Sequence, residues 1–205
     1  MRLNASPVLI SAVLSLLLAA AIPLQSQTAP DAEKGPLSFS LGAGVSNYNV
    51  DWGHGRMYGG AVWFDWYPIF LPRILDGVGV EAEARDISIG RSSTQPSNLR
   101  EDTAGGGPIY TWRHFPNFHP YAKGLVSFGS MDFRFPTDPS YTHDTRTVKA
   151  VGGGFEYRLS GSIHFRADYE YQFWPHFFGH GTLDPQGITL GALYDFTGFH
   201  RHRNF

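Results

Sequence analysis

Between Ile163 and Phe173 the chain reads IHFRADYEYQF, and two chemically opposite residue sets alternate through it without a break. Ile163, Phe165, Ala167, Tyr169, Tyr171 and Phe173 share one face of an extended strand, because successive side chains point to opposite sides. His164, Arg166, Asp168, Glu170 and Gln172 share the other. One face is apolar and the other charged. Which of them turns inward decides the fold, because a soluble barrel buries the apolar face and a membrane barrel offers it to lipid.

The same division recurs along the chain. Val78, Val80, Ala82 and Ala84 oppose Gly79, Glu81, Glu83 and Arg85; Gly153, Phe155, Tyr157 and Leu159 oppose Gly152, Gly154, Glu156 and Arg158. Val62, Phe64 and Trp66 oppose Ala61, Trp63 and Asp65, and Gly124, Val126 and Phe128 oppose Lys123, Ser127 and Gly129. Alternation bounded by turn residues predicts eight strands: 37–46, 57–67, 77–89, 103–114, 120–133, 147–159, 162–174 and 187–196. The fourth is ambiguous, since Tyr110 and Trp112 agree on a face and Ile109 falls among the polar positions. An even number of antiparallel strands is what a single-chain outer-membrane barrel requires.

The connections alternate as well. The links 47–56, 90–101, 134–146 and 175–186 are polar and about ten residues long. Two of the opposite links, at 116–119 and 160–161, are short, while Pro68 to Asp76 is longer and apolar. Long loops on one side and short turns on the other is the asymmetry of transmembrane barrels, with the long side extracellular. Aromatics follow the same scheme: Trp66, Tyr67, Trp112, Phe115, Tyr121, Tyr157, Tyr194 and Phe196 fall at short-turn ends. Tyr48, Tyr58, Phe133, Phe135, Phe173 and Trp174 fall at long-loop ends. Two interfacial girdles are expected.

Volume chooses between the faces. An eight-stranded barrel has an interior just wide enough to be filled by side chains. Phe39, Phe64, Trp66, Phe128, Phe155, Tyr157, Phe165, Tyr169, Tyr171 and Phe173 would overfill it. Turned to lipid they cost nothing, and the lumen then holds Asp65, Glu81, Glu83, Arg85, Arg113, Lys123, Glu156, Arg158, Arg166, Asp168, Glu170 and Asp195. Seven acids and five bases can pair, which makes their burial tolerable. The glycines at 79, 124, 129, 152 and 154 are expected to leave room for the long arginine and glutamate side chains. The reading is an all-β, eight-stranded antiparallel up-and-down transmembrane barrel with a polar, charged interior.

The rest of the chain bounds its setting. Arg2 precedes the apolar run Val8 to Ile22, too short for a membrane span, and polar residues follow; residues 1–27 are expected to be a secretory signal peptide. Residues 28–36 are then a linker, 37–196 the barrel and 197–205 a basic tail. Loss of residues 1–27 moves the formal charge from −2 to −3, which argues against a nucleic-acid partner. There is no cysteine, so disulfide and thiolate chemistry are excluded.

These residues resemble the small eight-stranded outer-membrane barrel family typified by the OmpA transmembrane domain and OmpX, over about residues 37 to 196. The last strand, with Ile188, Leu190, Ala192, Tyr194 and Phe196 on one face, is similar to the family's C-terminal insertion signal ending in Tyr-x-Phe. The resemblance implies reading of Tyr194 and Phe196 by the barrel assembly machinery, a surround of outer-membrane lipid and lipopolysaccharide, and a monomer. The chain continues past Phe196 to Phe205, which departs from the family pattern.

Enzymatic chemistry has little support. Lipid A deacylases of this architecture need a histidine and a serine on a lipid-facing rim, oriented by an acid. The candidates here are His143 with Ser140 and Asp144, or His176 and His180. The His200 and His202 pair offers too few ligands for a metal, and Gly105–Gly107 and Gly152–Gly154 precede no helix that would make them phosphate loops. No cofactor or catalytic residue is expected. The reading is a non-enzymatic outer-membrane barrel with a structural, surface-interaction or narrow-pore role. A lipid A-modifying enzyme and a soluble lipocalin-like binder are its alternatives.

Overall fold

A computed structural model describes residues 37–50, 55–68, 75, 77–89, 99–133, 142–179 and 181–196. They form nine strands: β1 Leu37–Asn49, β2 Arg56–Pro68, β3 Val78–Ile89, β4 Leu99–Thr111, β5 Phe118–Phe133, β6 His143–Ser160, β7 Ile163–Phe177, β8 Gly181–Leu183 and β9 Gln186–Asp195. Each of β1 to β7 pairs antiparallel with its successor; β7 also pairs with β9 and β9 with β1. Eight strands therefore close on themselves and leave no edge. The three-residue β8 stands outside the ring, against the end of β7, with Trp174 opposite Leu183 and Phe177 opposite Gly181.

The apolar face points out. Exposed large hydrophobics occur on every strand of the ring, from Val45 (68%) and Val62 (51%) to Phe128 (74%), Val151 (63%) and Leu190 (45%). A continuous belt of this kind is far larger than the apolar patches that soluble monomers tolerate. It is a lipid surface, and the soluble lipocalin-like alternative falls with it. Outward charges gather near the long-loop rim, where Arg100 on β4 bridges Asp86 on β3 at 2.8 Å and its own strand's Asp102 at 3.1 Å.

Several expectations change in detail. β4 runs from Leu99 to Thr111, four residues earlier at its start than predicted, because Leu99, Glu101 and Thr103 continue the inward face. Its ladder ends where Thr111 donates to Gly77 O and Trp112 donates to Pro120 O. Ile109 is inward and buried, so the apparent misfit in this strand is a core residue. Arg113 consequently lies in the turn, exposed, with its guanidinium 4.2 Å over the Tyr67 ring, rather than inside the lumen. Tyr48, Tyr67, Tyr121 and Trp174 are buried inside, not in the girdles, because each shares strand parity with the polar face. Tyr58 and Phe173 remain outward at one rim, and Trp112, Phe115, Tyr157, Tyr194 and Phe196 at the other.

The inward glycines seat rings more than charges. A Cβ at Gly42 would lie 2.3 Å from the Trp63 indole, at Gly129 2.3 Å from Trp174, and at Gly79 2.6 Å from Tyr67. Gly152 does make room for Lys123, whereas Gly124 faces open space outside. The signal peptide, linker and tail predicted at 1–27, 28–36 and 197–205, with Phe135, Ser140 and His180, lie outside the described residues.

Candidate functional site

The lumen is built in layers, and its centre is ionic. Lys123 on β5 places Nζ 2.9 Å from Glu81, 2.5 Å from Glu83, 2.7 Å from Asp168 and 3.1 Å from Glu170. Arg166 on β7 reaches Glu81 at 2.5 Å and both Asp65 and Asp168 at 3.2 Å, and its Nε donates to the Tyr121 hydroxyl at 2.8 Å. Its guanidinium also lies over the rings of Tyr121 and Trp63, at 4.3 and 4.9 Å. Arg85 on β3 pairs with Glu170 at 2.7 Å and with Glu83, and lies 4.3 Å over the Tyr48 ring. The charged side chains come from β2, β3, β5 and β7, and apart from Arg85–Glu83 and Arg166–Asp168, each within one strand, these ion pairs link different strands. Burial of such charges is sustained by mutual attraction and hydrogen bonding, which their density here supplies.

Above this layer, toward the long loops, the lumen becomes apolar. Tyr48, Val50, Met57, Ile87, Leu99, Met131, Val148, Trp174, Phe177 and Leu183 form one buried cluster. A hydrogen-bonded relay joins it to the ionic layer: Trp174 Nε1 donates to Gln172 Oε1 at 2.8 Å, and Gln172 Nε2 donates to Glu170 at 3.1 Å. Sequence reading missed this stopper because residues were ranked by distance from a strand end; the parity of Tyr48 and Trp174 would have placed them inside.

Below the ionic layer, Tyr67, Ile109 and Tyr121 pack together, with Tyr67 OH 2.7 Å from Thr111 Oγ1. At the short-turn rim stand His119, Glu156 and His164, all buried, whose side-chain ligand atoms lie within 4.8 Å of one another. Neither nitrogen of His164 nor Glu156 Oε1 has a hydrogen-bond partner among the described residues. Arg158 and Asp195 are half-buried beside them.

The residues singled out from sequence are therefore distributed unevenly. Asp65, Glu81, Glu83, Arg85, Lys123, Arg166, Asp168 and Glu170 meet in the ionic layer, and Glu156 touches its lower side, 3.8 Å from Arg166. Arg158 and Asp195 stay at the rim and Arg113 lies outside. Tyr194 and Phe196 point outward with rings 4.9 Å apart, and Phe196 N donates to Phe39 O.

Among the rim candidates for catalysis, His143 on β6 lies between Asp132 on β5, at Nδ1, and Thr145, whose Oγ1 is 3.0 Å from Nε2. The predicted partner Asp144 instead pairs with Arg146 at 3.0 Å and accepts from Phe178 N. His176 has a left-handed backbone, φ 53°, at the tip of β7.

Solved barrels share this architecture. Neisserial surface protein A superposes with a TM-score of 0.61 at 10% identity, covering 80% of this chain and 98% of its own. The attachment invasion locus protein Ail of Yersinia pestis gives 0.51 at 18% identity, covering 78% and 97%. OprG of Pseudomonas aeruginosa gives 0.51 at 13% identity, covering 80% and 97%. At such identities the likeness is one of fold. No curated protein matches the sequence significantly. The family described as Outer membrane protein beta-barrel domain matches residues 12–196, and with the closed ring and lipid-facing belt this means that the chain belongs to that family, a barrel of the outer membrane.

Proposed function

We propose that this is a non-enzymatic barrel that works at the cell surface, holding four outer links in place, and that it passes no solute through its lumen. The supporting observation is that the lumen is filled at two successive heights, by the ion pairs around Lys123 and Arg166 and by the apolar cluster around Trp174. A pore would need both to part at once. Its surroundings on this reading are outer-membrane lipid and lipopolysaccharide, with Tyr194 and Phe196 read by the barrel assembly machinery during insertion. Purified protein in planar bilayers is expected to give no unitary conductance steps. Stable steps from the wild-type chain would replace the surface role with a pore.

A second reading, a lipid A-modifying enzyme, has the Asp132, His143 and Thr145 chain in its favour. Mass spectrometry of lipid A from an outer membrane expressing the protein decides it. An unchanged lipid A pattern is expected; a modification that disappears in His143→Ala would establish the enzyme.

A further inference from the structure

The buried group at the periplasmic rim has a composition and geometry that the barrel alone does not explain. His119 is the second residue of β5 and the direct cross-strand partner of Glu156 on β6. His164 lies on β7, whose Arg158–His164 and Glu156–Arg166 pairings set it diagonally below Glu156. The two imidazoles are 6.0 Å apart between centroids and inclined at 36°. Each of the three residues can present one ligand atom within 4.8 Å of the others.

Two features point to a ligand. His164 is only 4% exposed, yet both ring nitrogens lack a partner among the described residues, and Glu156 Oε1 beside it accepts no hydrogen bond there, its ion partner Arg166 standing off at 3.8 Å. Burying such groups without hydrogen bonds is costly, and native proteins rarely leave them so. The third ligand has a support within reach: the backbone carbonyl of Phe115 neighbours the His119 ring, and a hydrogen bond to it would leave the other nitrogen as a lone pair. A histidine held by a backbone carbonyl on one side and open on the other is the usual outer support of a metal ligand.

We propose that His119, Glu156 and His164 form a binding site for a divalent first-row transition metal, with zinc the best fit. Two imidazoles and one carboxylate match the ligand preference of Zn²⁺, which would retain a fourth, open position. The ion would give His164 the partner it lacks and Glu156 a closer one than Arg166. Its charge is also suited to the place: the ion pairs of the lumen join six carboxylates, Asp65, Glu81, Glu83, Glu156, Asp168 and Glu170, to three cations, Arg85, Lys123 and Arg166. Arg113 and Arg158 act on the two histidines from the rim and raise the cost of a cation there, and Asp195 beside His164 offsets part of it. The other carboxylate group close enough to hold a metal, Glu81, Glu83 and Asp168, is served by the Lys123 ammonium and needs no ion.

The test uses the full exported chain, folded in detergent, stripped with chelator and titrated with Zn²⁺ by calorimetry, with Co²⁺ as a spectroscopic stand-in. One equivalent should bind, and Co²⁺ should give the visible absorption of a four-coordinate site. His164→Phe should weaken binding more than about tenfold, while the folded barrel still shifts on unboiled gels. A His200→Ala, His202→Ala variant should leave affinity unchanged. The proposal is overturned if the stripped protein binds no zinc. It is equally overturned if the tail variant abolishes binding or the still-folded His164→Phe barrel binds as tightly as wild type.

Discussion

In the ionic layer Lys123 meets four carboxylates within 3.1 Å, whereas a short distance toward the short turns His164 meets no hydrogen-bond partner with either nitrogen among the described residues. Both layers are buried and both are polar. Their difference separates two uses of buried polarity: groups that satisfy one another hold a barrel together, and groups left wanting are available to something else. The layers also differ in make-up: the stopper around Trp174 is apolar apart from Glu101, a buried acid set between its cross-strand neighbours Ile87 and Met131.

The contrast can be broken by substitution. Arg166→Met should be the most damaging change, because it leaves Asp65 without its cation and Glu81 and Asp168 sharing Lys123 alone in a dry interior. A loss of about 3–5 kcal/mol is expected on urea unfolding from lipid vesicles; a loss below about 1 kcal/mol would mean that the layer carries no stability. Val62→Arg tests the outward face at mid-strand and should cost about 2–4 kcal/mol in the same assay. Should it cost nothing, Val62 does not face the bilayer centre.

His164→Phe sharpens the comparison from the other side. With metal removed, a ring of similar shape replaces a group that makes no hydrogen bond, so stability should change by no more than about 1 kcal/mol in either direction. A large loss would show that His164 belongs to the self-satisfied set. Arg100→Ala should be smallest, below about 1 kcal/mol, because its pairs with Asp86 and Asp102 are solvent-exposed.

Strand parity was legible in the sequence, and so was most of the ionic layer. Arg166, Asp168 and Glu170 alternate with Ala167 and Tyr169, and period two assigns them to a face whatever the partner strand. Height within the barrel is a different quantity. It depends on register and stagger between strands, which hydrophobic alternation leaves open. Tyr48 and Trp174 read as girdle residues from their nearness to strand ends, against their parity; unknown height is why Arg113 reads as lumenal and why His119, assigned to a turn, is not connected with Glu156 or His164. Those three residues lie 37 and 8 positions apart along the chain and meet only once β5, β6 and β7 are paired. The short β8 was hidden for a similar reason, since three residues are too few to display a period.

The unequal strand lengths have a further consequence. β5, β6 and β7 contain 16, 18 and 15 residues, while β1 to β4 contain 12 or 13 and β9 only 10. At about 3.3 Å per residue and a tilt of about 40°, β6 rises on the order of 45 Å along the membrane normal, against an apolar band of about 25 Å. The rim is therefore lopsided, like a tower with one tall battlement. Phe178 N is tied to Asp144 across its top, and β8 buttresses its flank. On that side hydrogen-bonded backbone continues beyond the length that crossing the apolar band requires, so a partner approaching there would meet strands held rigid by their neighbours.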